Sequence, residues 1–352
     1  MKTNNSITTL STLVALLLLV SSCKKEQLTS NEDLMDNSYN NTSGNSYKNW
    51  EVPEMTFYAL AGGIEIDRFS TSNPEAVLNS VSIIGLQGDE KILSIDFRPA
   101  TGQLYGLGST SRLYVINPET GTARAIGAGP FSPALTGSIA GFDFNPTVDR
   151  IRVVTSSGQN LRLNPETGTV AATDLDINGV TGAMISAVAY TNNVAGATTT
   201  TLFDIDVTTQ KLYKQLPPNN GTLVEVGALG IKVDGEGGFD ISANQDVALG
   251  LFEVNKKATL FAVDLNTGNT LTLAKYTKTL MYSGIAIPTQ PVAYVVTAAN
   301  SLLIFNPENT SSIVSKTITG LMSGETILGI DFRPLNGQLF ALGSTSRLYT
   351  IN

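Results

Sequence analysis

An aspartate recurs in the same short motif at four places in the chain. Asp96, Asp143, Asp240 and Asp331 lie at the third position of SIDF, GFDF, GFDI and GIDF. Each motif has the composition of a β-strand, so the four side chains are expected on one face of equivalent strands. Carboxylates that converge there can act as general acid and base or bind a cation, which makes Asp96, Asp143 and Asp240 the candidate catalytic residues.

The same repetition has a structural interpretation, which we favour. Catalysis usually breaks the symmetry between repeats, whereas a hydrogen bond or ion pair between neighbouring repeats preserves it. Asp96, for example, is two residues from Arg98 and could pair with it. The sequence alone therefore assigns no residue to catalysis.

A second group of oxygen-bearing residues has the spacing of a calcium loop. Asp174, Asp176 and Asn178 occupy the first, third and fifth positions, and Gly179 follows at the sixth. Calcium is bound by hard oxygen ligands with this spacing. The twelfth position is Ile185, where a bidentate glutamate belongs, and Asn178-Gly179 is also a good hairpin turn. We therefore keep two alternatives for these three residues, a calcium site and a turn without a cofactor.

Several arginines are concentrated in the first half of the chain. They could surround an anionic ligand such as a uronate, or they could be solvated or bridge neighbouring repeats. They are Arg98, Arg112, Arg124, Arg150, Arg152 and Arg162.

The composition excludes most other site chemistry. The chain has no histidine and a single cysteine, Cys23. Ser-His-Asp and Cys-His nucleophile systems and the usual histidine-bearing zinc sites are therefore excluded, and so is a disulfide framework. Catalysis would have to depend on carboxylates, lysine, tyrosine or a hard metal ion, so enzymatic activity is an open question and these exclusions favour a binding function.

A long internal repeat organises these motifs. Residues 86–117 recur at an offset of 235 as residues 321–352, with 22 of the 32 positions identical. A repeat of this length indicates that the chain contains one complete unit and the beginning of a second.

The complete unit is predicted to be all-β. From Phe57 onward, short segments of Val, Ile, Leu, Tyr and Phe alternate with turn residues and group in fours, once every 40 to 50 residues. This period predicts a β-propeller of four-stranded antiparallel blades. The first blade lacks its first strand, which residues 283–288 can supply, so we predict five blades closed by both ends of the unit. A ring of six or seven blades is the alternative if the C-terminal segment joins it.

The N-terminus has the features of a secreted lipoprotein. Lys2 precedes an apolar run from Leu10 to Val20, and the following Ser21-Ser22-Cys23 resembles a lipobox. We predict a signal peptide over residues 1–22, a lipidated Cys23 and a disordered tether rich in Asn and Ser over residues 23–52. The propeller is expected over residues 53–290 and the partial second copy over residues 291–352.

This N-terminus predicts a location in the cell envelope, lipid-anchored in the outer membrane of a Gram-negative bacterium. Removal of the signal peptide takes away Lys2 and no acidic residue, which leaves 21 basic and 30 acidic residues and a formal net charge of −9. An acidic chain does not favour a nucleic-acid partner, which would select clustered basic residues. The membrane, through the lipid, and an unknown protein or glycan are the expected partners.

The long motifs resemble a known family. IDFRP, GQLYGLGSTSRLY, GFDFNPTVDRIRVV, GQNLRLNPETG and AGATTTTLFDID are similar to segments of a bacterial family catalogued as domain of unknown function 4394. The similarity covers residues 57 to about 288 and again residues 292–352. It implies an extracytoplasmic, propeller-like protein, and it implies no activity, cofactor or catalytic residue.

Three functions are consistent with these observations. The first is a lipid-anchored binding or interaction module. The second is a carboxylate-dependent carbohydrate-active enzyme, a hydrolase or lyase, that acts at the centre of the ring. The third is a structural protein of the envelope, because propellers support many functions.

Overall fold

The computed structural model of the protein describes residues 51–243, 247–277, 281–334 and 337–351. The predicted signal peptide, Cys23 and nearly all of the tether lie outside the described residues. Within them, regular structure consists of β-strands and one short 3-10 helix, Pro218–Asn220. No helix in the described part of the chain has the length and apolarity needed to cross a membrane.

The strands follow one another along the chain in short antiparallel runs. The first seven are β1 (Thr56–Ala61), β2 (Glu65–Ser70), β3 (Asn79–Ser82), β4 (Ile92–Phe97), β5 (Leu104–Gly108), β6 (Leu113–Ile116) and β7 (Ala123–Ile126). The next eight are β8 (Ala140–Asn145), β9 (Arg150–Thr155), β10 (Asn160–Asn164), β11 (Thr169–Thr173), β12 (Ile185–Tyr190), β13 (Leu202–Asp206), β14 (Lys211–Gln215) and β15 (Leu223–Ala228). Then come β16 (Asp234–Ile241), β17 (Ala248–Val254), β18 (Lys257–Val263), β19 (Thr270–Tyr276) and β20 (Tyr282–Ala286).

These twenty strands form five four-stranded antiparallel sheets. Four sheets use consecutive strands, namely β4 to β7, β8 to β11, β12 to β15 and β16 to β19. The remaining sheet has the order β20-β1-β2-β3, so a strand from the end of the unit pairs with strands from its beginning. Tyr58 lies opposite Ala286 in this pairing. The closure of the unit by both chain ends, predicted from the sequence, is confirmed, and it removes an exposed sheet edge.

The inner strands of the five sheets form a closed ring. β4 contacts β8, β8 contacts β12, β12 contacts β16, β16 contacts β20, and β20 contacts β4. This succession is a five-bladed β-propeller with the first strand of each blade at the axis. The predicted fold class and the favoured count of five blades are confirmed.

Apolar side chains fill the space between neighbouring blades. Between the second and third blades, Leu107 and Leu113 pack with Phe142 and Phe144 and are buried together with them. Comparable clusters lie between the first and second, the third and fourth, and the fourth and fifth blades. Because both faces of an inner strand are covered, β12 is buried along its whole length.

Turns between the third and fourth strands of a blade follow one design. In the Asn117–Gly121 turn, the Asn117 Oδ1 accepts hydrogen bonds from the backbone N–H groups of Glu119 and Thr120 at 2.9 and 3.2 Å. Gly121 has a φ of +72°, and a Cβ there would lie 2.0 Å from the Ser82 carbonyl oxygen of the preceding blade. Only glycine tolerates both conditions, so the turn also determines how closely the two blades approach.

The remaining strands form two smaller sheets after the ring. They are β21 (Ala293–Val296), β22 (Ser301–Asn306) and β23 (Asn309–Thr317) in one sheet, and β24 (Ile327–Arg333), β25 (Gln338–Gly343) and β26 (Leu348–Ile351) in the other. Each has three strands, and neither contributes a strand to the ring. Leu302, Ile304 and Leu339 form the apolar cluster between them, against which Ala195 of the ring also packs.

Candidate functional site

Three of the recurring aspartates meet at the axis of the ring. Asp96 on β4, Asp143 on β8 and Asp240 on β16 each place a carboxylate oxygen within 4.8 Å of those of the other two. All three residues are only 1% exposed. The structure therefore brings together the candidate residues that the sequence singled out.

Small residues allow the inner strands to approach closely enough for this convergence. A Cβ at Gly141 would lie 2.7 Å from the backbone nitrogen of Val188, and one at Gly238 would lie 2.2 Å from that of Ile285. Real side chains do not tolerate such distances, so glycine two residues before Asp143 and Asp240 is a packing requirement of the axis.

Each carboxylate also accepts a hydrogen bond from the next blade around the ring. The backbone N–H of Phe144 donates to Asp96 Oδ2 at 2.8 Å, that of Tyr190 to Asp143 Oδ1 at 3.0 Å, and that of Ile287 to Asp240 Oδ2 at 2.6 Å. Asp96 does not form the ion pair with Arg98 that the sequence suggested as an example, because Arg98 bonds Asp149 and Glu166. The aspartates thus join neighbouring blades through the backbone.

The axial position is not the same in every blade. Alanine replaces aspartate there in the other two blades, where Ala189 lies on β12 and Ala286 on β20. Asp331, the equivalent residue of the second copy, is exposed because no ring surrounds it. The aspartate side chains therefore converge only where the motif is part of the closed ring.

Burial changes the acidity of the three carboxyls. Transfer out of water raises the pKa of Asp240 to about 7. Burial also raises the pKa of Asp96 and Asp143 well above the usual range, and repulsion from the neighbouring carboxylates adds to the shift of both. The cluster therefore retains protons near neutral pH.

The arrangement can share protons among three carboxyls, and its hard oxygen atoms are of the type that cations such as calcium bind. It is poorly suited to act on a substrate, because a sugar cannot reach carboxylates that are 1% exposed. The geometry consequently supports the structural interpretation of the axial aspartates better than the catalytic one.

The second candidate group, Asp174, Asp176 and Asn178, lies outside the axial cluster of aspartates. Of these residues, Asp174 forms ion pairs. Asp174 Oδ2 accepts from Arg152 Nη1 at 2.5 Å and from Arg162 Nε at 2.8 Å. Asn178 Oδ1 accepts from the Thr222 hydroxyl, and its amide nitrogen donates to the Asp176 and Asn220 carbonyls. Two guanidinium groups already neutralise Asp174, so the contacts favour the turn without a cofactor over a calcium site.

Arg152, one of the arginines that the sequence suggested could bridge neighbouring repeats, is the centre of a buried polar network that reaches the next blade. Its guanidinium is 2% exposed and donates to Asn160 and Asn219 Oδ1 at 2.8 and 2.7 Å as well as to Asp174. Asp204 lies nearby, with both carboxylate oxygens buried and without a hydrogen-bond partner among the described residues. Burial raises the pKa of Asp204 and the charge of Arg152 opposes that rise.

Sequence reasoning missed a glutamate in each copy. Glu90 accepts from the Thr110 N–H at 2.7 Å and from the Tyr114 hydroxyl at 2.5 Å. Glu325, at the offset of 235, accepts from the Thr345 N–H at 2.7 Å and from the Tyr349 hydroxyl at 2.9 Å. The sequence signal was present, because GSTSRLY is identical in the two copies and a buried carboxylate anchors this turn in both.

Comparison with known proteins gives a family and no activity. A solved structure of the Dos1 propeller is similar at 10% sequence identity and a TM-score of 0.34, over 84% of this chain and 83% of that chain. No curated protein matches the chain. The sequence model described as "Domain of unknown function (DUF4394)" matches residues 65–286 and 301–352, which is most of the chain, and the protein therefore belongs to the DUF4394 family.

Proposed function

We propose that the protein is a lipid-anchored, extracytoplasmic propeller that binds a protein partner through an exposed face of its last sheet, β24 to β26. One observation carries the proposal. Residues that are buried between blades in the first copy are exposed at the equivalent positions of the second copy. Leu107 and Leu113 are 0% exposed, whereas their counterparts Leu342 and Leu348 are 48% and 68% exposed.

The ring itself indicates what covers such a surface. Leu107 and Leu113 are covered by apolar side chains of the β8 to β11 sheet, among them Phe142 and Phe144. The surface of Leu342 and Leu348, here called the open face, has no such sheet against it in the described part of the chain. We therefore infer that its partner is a protein that presents an apolar β-sheet surface, since apolar area of this kind is stabilised by removal from water.

Cross-linking tests the open face directly. A photoreactive amino acid at position 348 is expected to cross-link one protein partner in intact cells, to be identified by mass spectrometry. The same label at Leu78, which is 54% exposed in the ring, is the matched control and should not capture that partner. Leu342→Ser should reduce the yield at position 348 severalfold, because it removes apolar contact area.

Other results would point to other functions. Equal capture from positions 348 and 78 would contradict the open face as a binding surface. A second copy of this chain as the cross-linked protein would mean self-association, and capture of glycan alone would replace the protein partner by a carbohydrate. Enzymatic activity that is lost in Asp240→Asn would overturn the binding function in favour of the carboxylate-dependent enzyme.

The lipid anchor is the second part of the proposal. It is supported by the apolar run from Leu10 to Val20 followed by Cys23, the only cysteine in the chain. Cys23→Ser should move the protein from the membrane fraction to the soluble extracytoplasmic fraction and abolish incorporation of labelled fatty acid. Wild-type protein that carries no label, or a variant that stays with the outer membrane, would contradict lipidation.

A further inference from the structure

We propose that the protein holds a small amphipathic carboxylate, an acid with an apolar body, in a cavity between the ring and the C-terminal sheets. The cavity has a volume of about 350 Å³ and is lined by residues of the second, third and fourth blades and of both small sheets. It is separate from the open face, so this inference goes beyond the proposed function and either can fail alone.

The walls suited to an apolar body come mainly from the C-terminal sheets. Tyr294, Leu302, Ile304 and Phe332 line the cavity. The rings of Tyr294 and Phe332 are 5.0 Å apart and nearly perpendicular. The Tyr294 hydroxyl donates to the Ala100 carbonyl of the ring at 3.0 Å, which holds this wall in place without any ligand. A preformed apolar wall is the usual feature of a small-molecule site.

One buried arginine in the cavity is already neutralised. Arg98 is 2% exposed, and its guanidinium donates to Asp149 at 2.9 and 2.5 Å and to Glu166 at 3.1 Å. All three residues line the cavity. Because two carboxylates surround this one guanidinium, the group does not attract an anion by itself.

Two further cations line the cavity, one from the ring and one from the C-terminal sheets. Arg150 and Lys316 both line the cavity. Neither forms a direct ion pair with a carboxylate among the described residues, although the charge of Arg150 opposes the rise in the pKa of Glu166. Arg150 donates only to the Asp149 carbonyl, at 2.8 Å. With these two residues the cavity is lined by three cations and two carboxylates, a formal excess of one positive charge that favours an anionic ligand.

The apolar walls and the two cations together indicate the chemical class of the ligand. A monoanionic head group can accept charge-assisted hydrogen bonds from Arg150 and Lys316, while an apolar body removes the walls from water. A carboxylate suits the planar guanidinium of Arg150, which can donate two parallel bonds to its oxygens. Octanoate has both features, 1-octanol has only the body, and acetate has only the head group.

Calorimetric titration of the full chain with these three probes tests the site. We expect saturable binding of one octanoate per protein, with 1-octanol and acetate each bound at least about tenfold more weakly. Absence of saturable octanoate binding would overturn the proposal, and so would equal affinity for 1-octanol, because the carboxylate would then contribute nothing.

Two variants and one control locate the binding. Lys316→Gln and Arg150→Gln should each weaken octanoate binding about fivefold to tenfold by removing a charge-assisted bond. Lys275→Gln, at an exposed position of β19 outside the cavity, should leave the affinity unchanged. Lys316 is exposed and unpaired, so its variant should fold normally, and unchanged affinity in both cavity variants would place octanoate elsewhere and contradict the site.

Discussion

Replacing Arg152 by methionine should lower the free energy of unfolding by about 3–5 kcal/mol at neutral pH. The guanidinium is 2% exposed and bonds Asp174, whose side chain is only 7% exposed. Methionine fills much of the same volume and leaves Asp174 and the neighbouring Asp204 in the protein interior without this cation. Chemical denaturation of both proteins, followed by far-UV circular dichroism, measures the difference.

Arg162 provides the matched control, because it bonds the same carboxylate from the surface. Its Nε and Nη2 lie 2.8 and 2.9 Å from the Asp174 oxygens, but its side chain is 33% exposed. Arg162→Met should therefore cost about 1 kcal/mol or less, as expected for a solvated pair. Equal losses of unfolding free energy in the two variants would show that burial of the Arg152 network does not determine how much it contributes to stability.

Asp143→Asn should stabilise the ring by about 2 kcal/mol above about pH 8, with a chelator present. As the pH rises, the wild type must either keep protons on these buried carboxyls or hold several carboxylates within 4.8 Å of one another. Asparagine removes one charge at nearly constant volume, and its carbonyl can still accept the Tyr190 N–H that Asp143 accepts. Thermal unfolding as a function of pH gives the measurement.

The sign of the pH dependence follows from the raised pKa values. A carboxyl with a higher pKa in the folded state adds stability that is complete below about pH 4 and is lost as the pH rises through the folded pKa. That pKa is about 7 for Asp240 and is raised for Asp96 and Asp143. Wild-type stability from this cluster should therefore fall as the pH rises from about 4 through about 7, the pKa of Asp240, and should fall less steeply in Asp143→Asn.

Asp331→Asn is the control for this variant. Asp331 lies in the same motif as Asp96, but it is exposed and outside the ring. Its replacement should change neither the stability nor the pH profile by more than about 0.5 kcal/mol. If Asp143→Asn destabilised the protein above pH 8 in chelator, the axial carboxylates would be stabilising in their charged form. The raised pKa values assigned to these carboxyls would then be wrong.

The two proposed binding sites differ in shape and charge. The open face around Leu342 and Leu348 exposes apolar side chains, which suits a protein partner. The cavity beside Arg150 and Lys316 is concave and carries charge, which suits a small anion. Both use the C-terminal sheets, so the partial second copy is where binding by this propeller would concentrate.

The sequence by itself determined the all-β class, the four-strand period and the closure by residues 283–288. These features depend on local alternation and on turn residues such as Asn117 and Gly121, which act within a few residues of one another. Family membership could also be predicted, because the motifs are long. The absence of histidine was sufficient to exclude histidine-dependent nucleophile systems and the usual zinc sites without any structure.

Only the tertiary structure decided what the repeated residues do. Asp96 and Asp331 share a motif, yet one is buried with two other carboxylates and the other is exposed. Leu113 and Leu348 differ in the same way. Likewise, nothing in the spacing of Asp174 revealed that two arginines neutralise it. The physical reason is that burial, pKa and ion pairing depend on neighbouring blades distant in sequence, and only a closed ring supplies those neighbours.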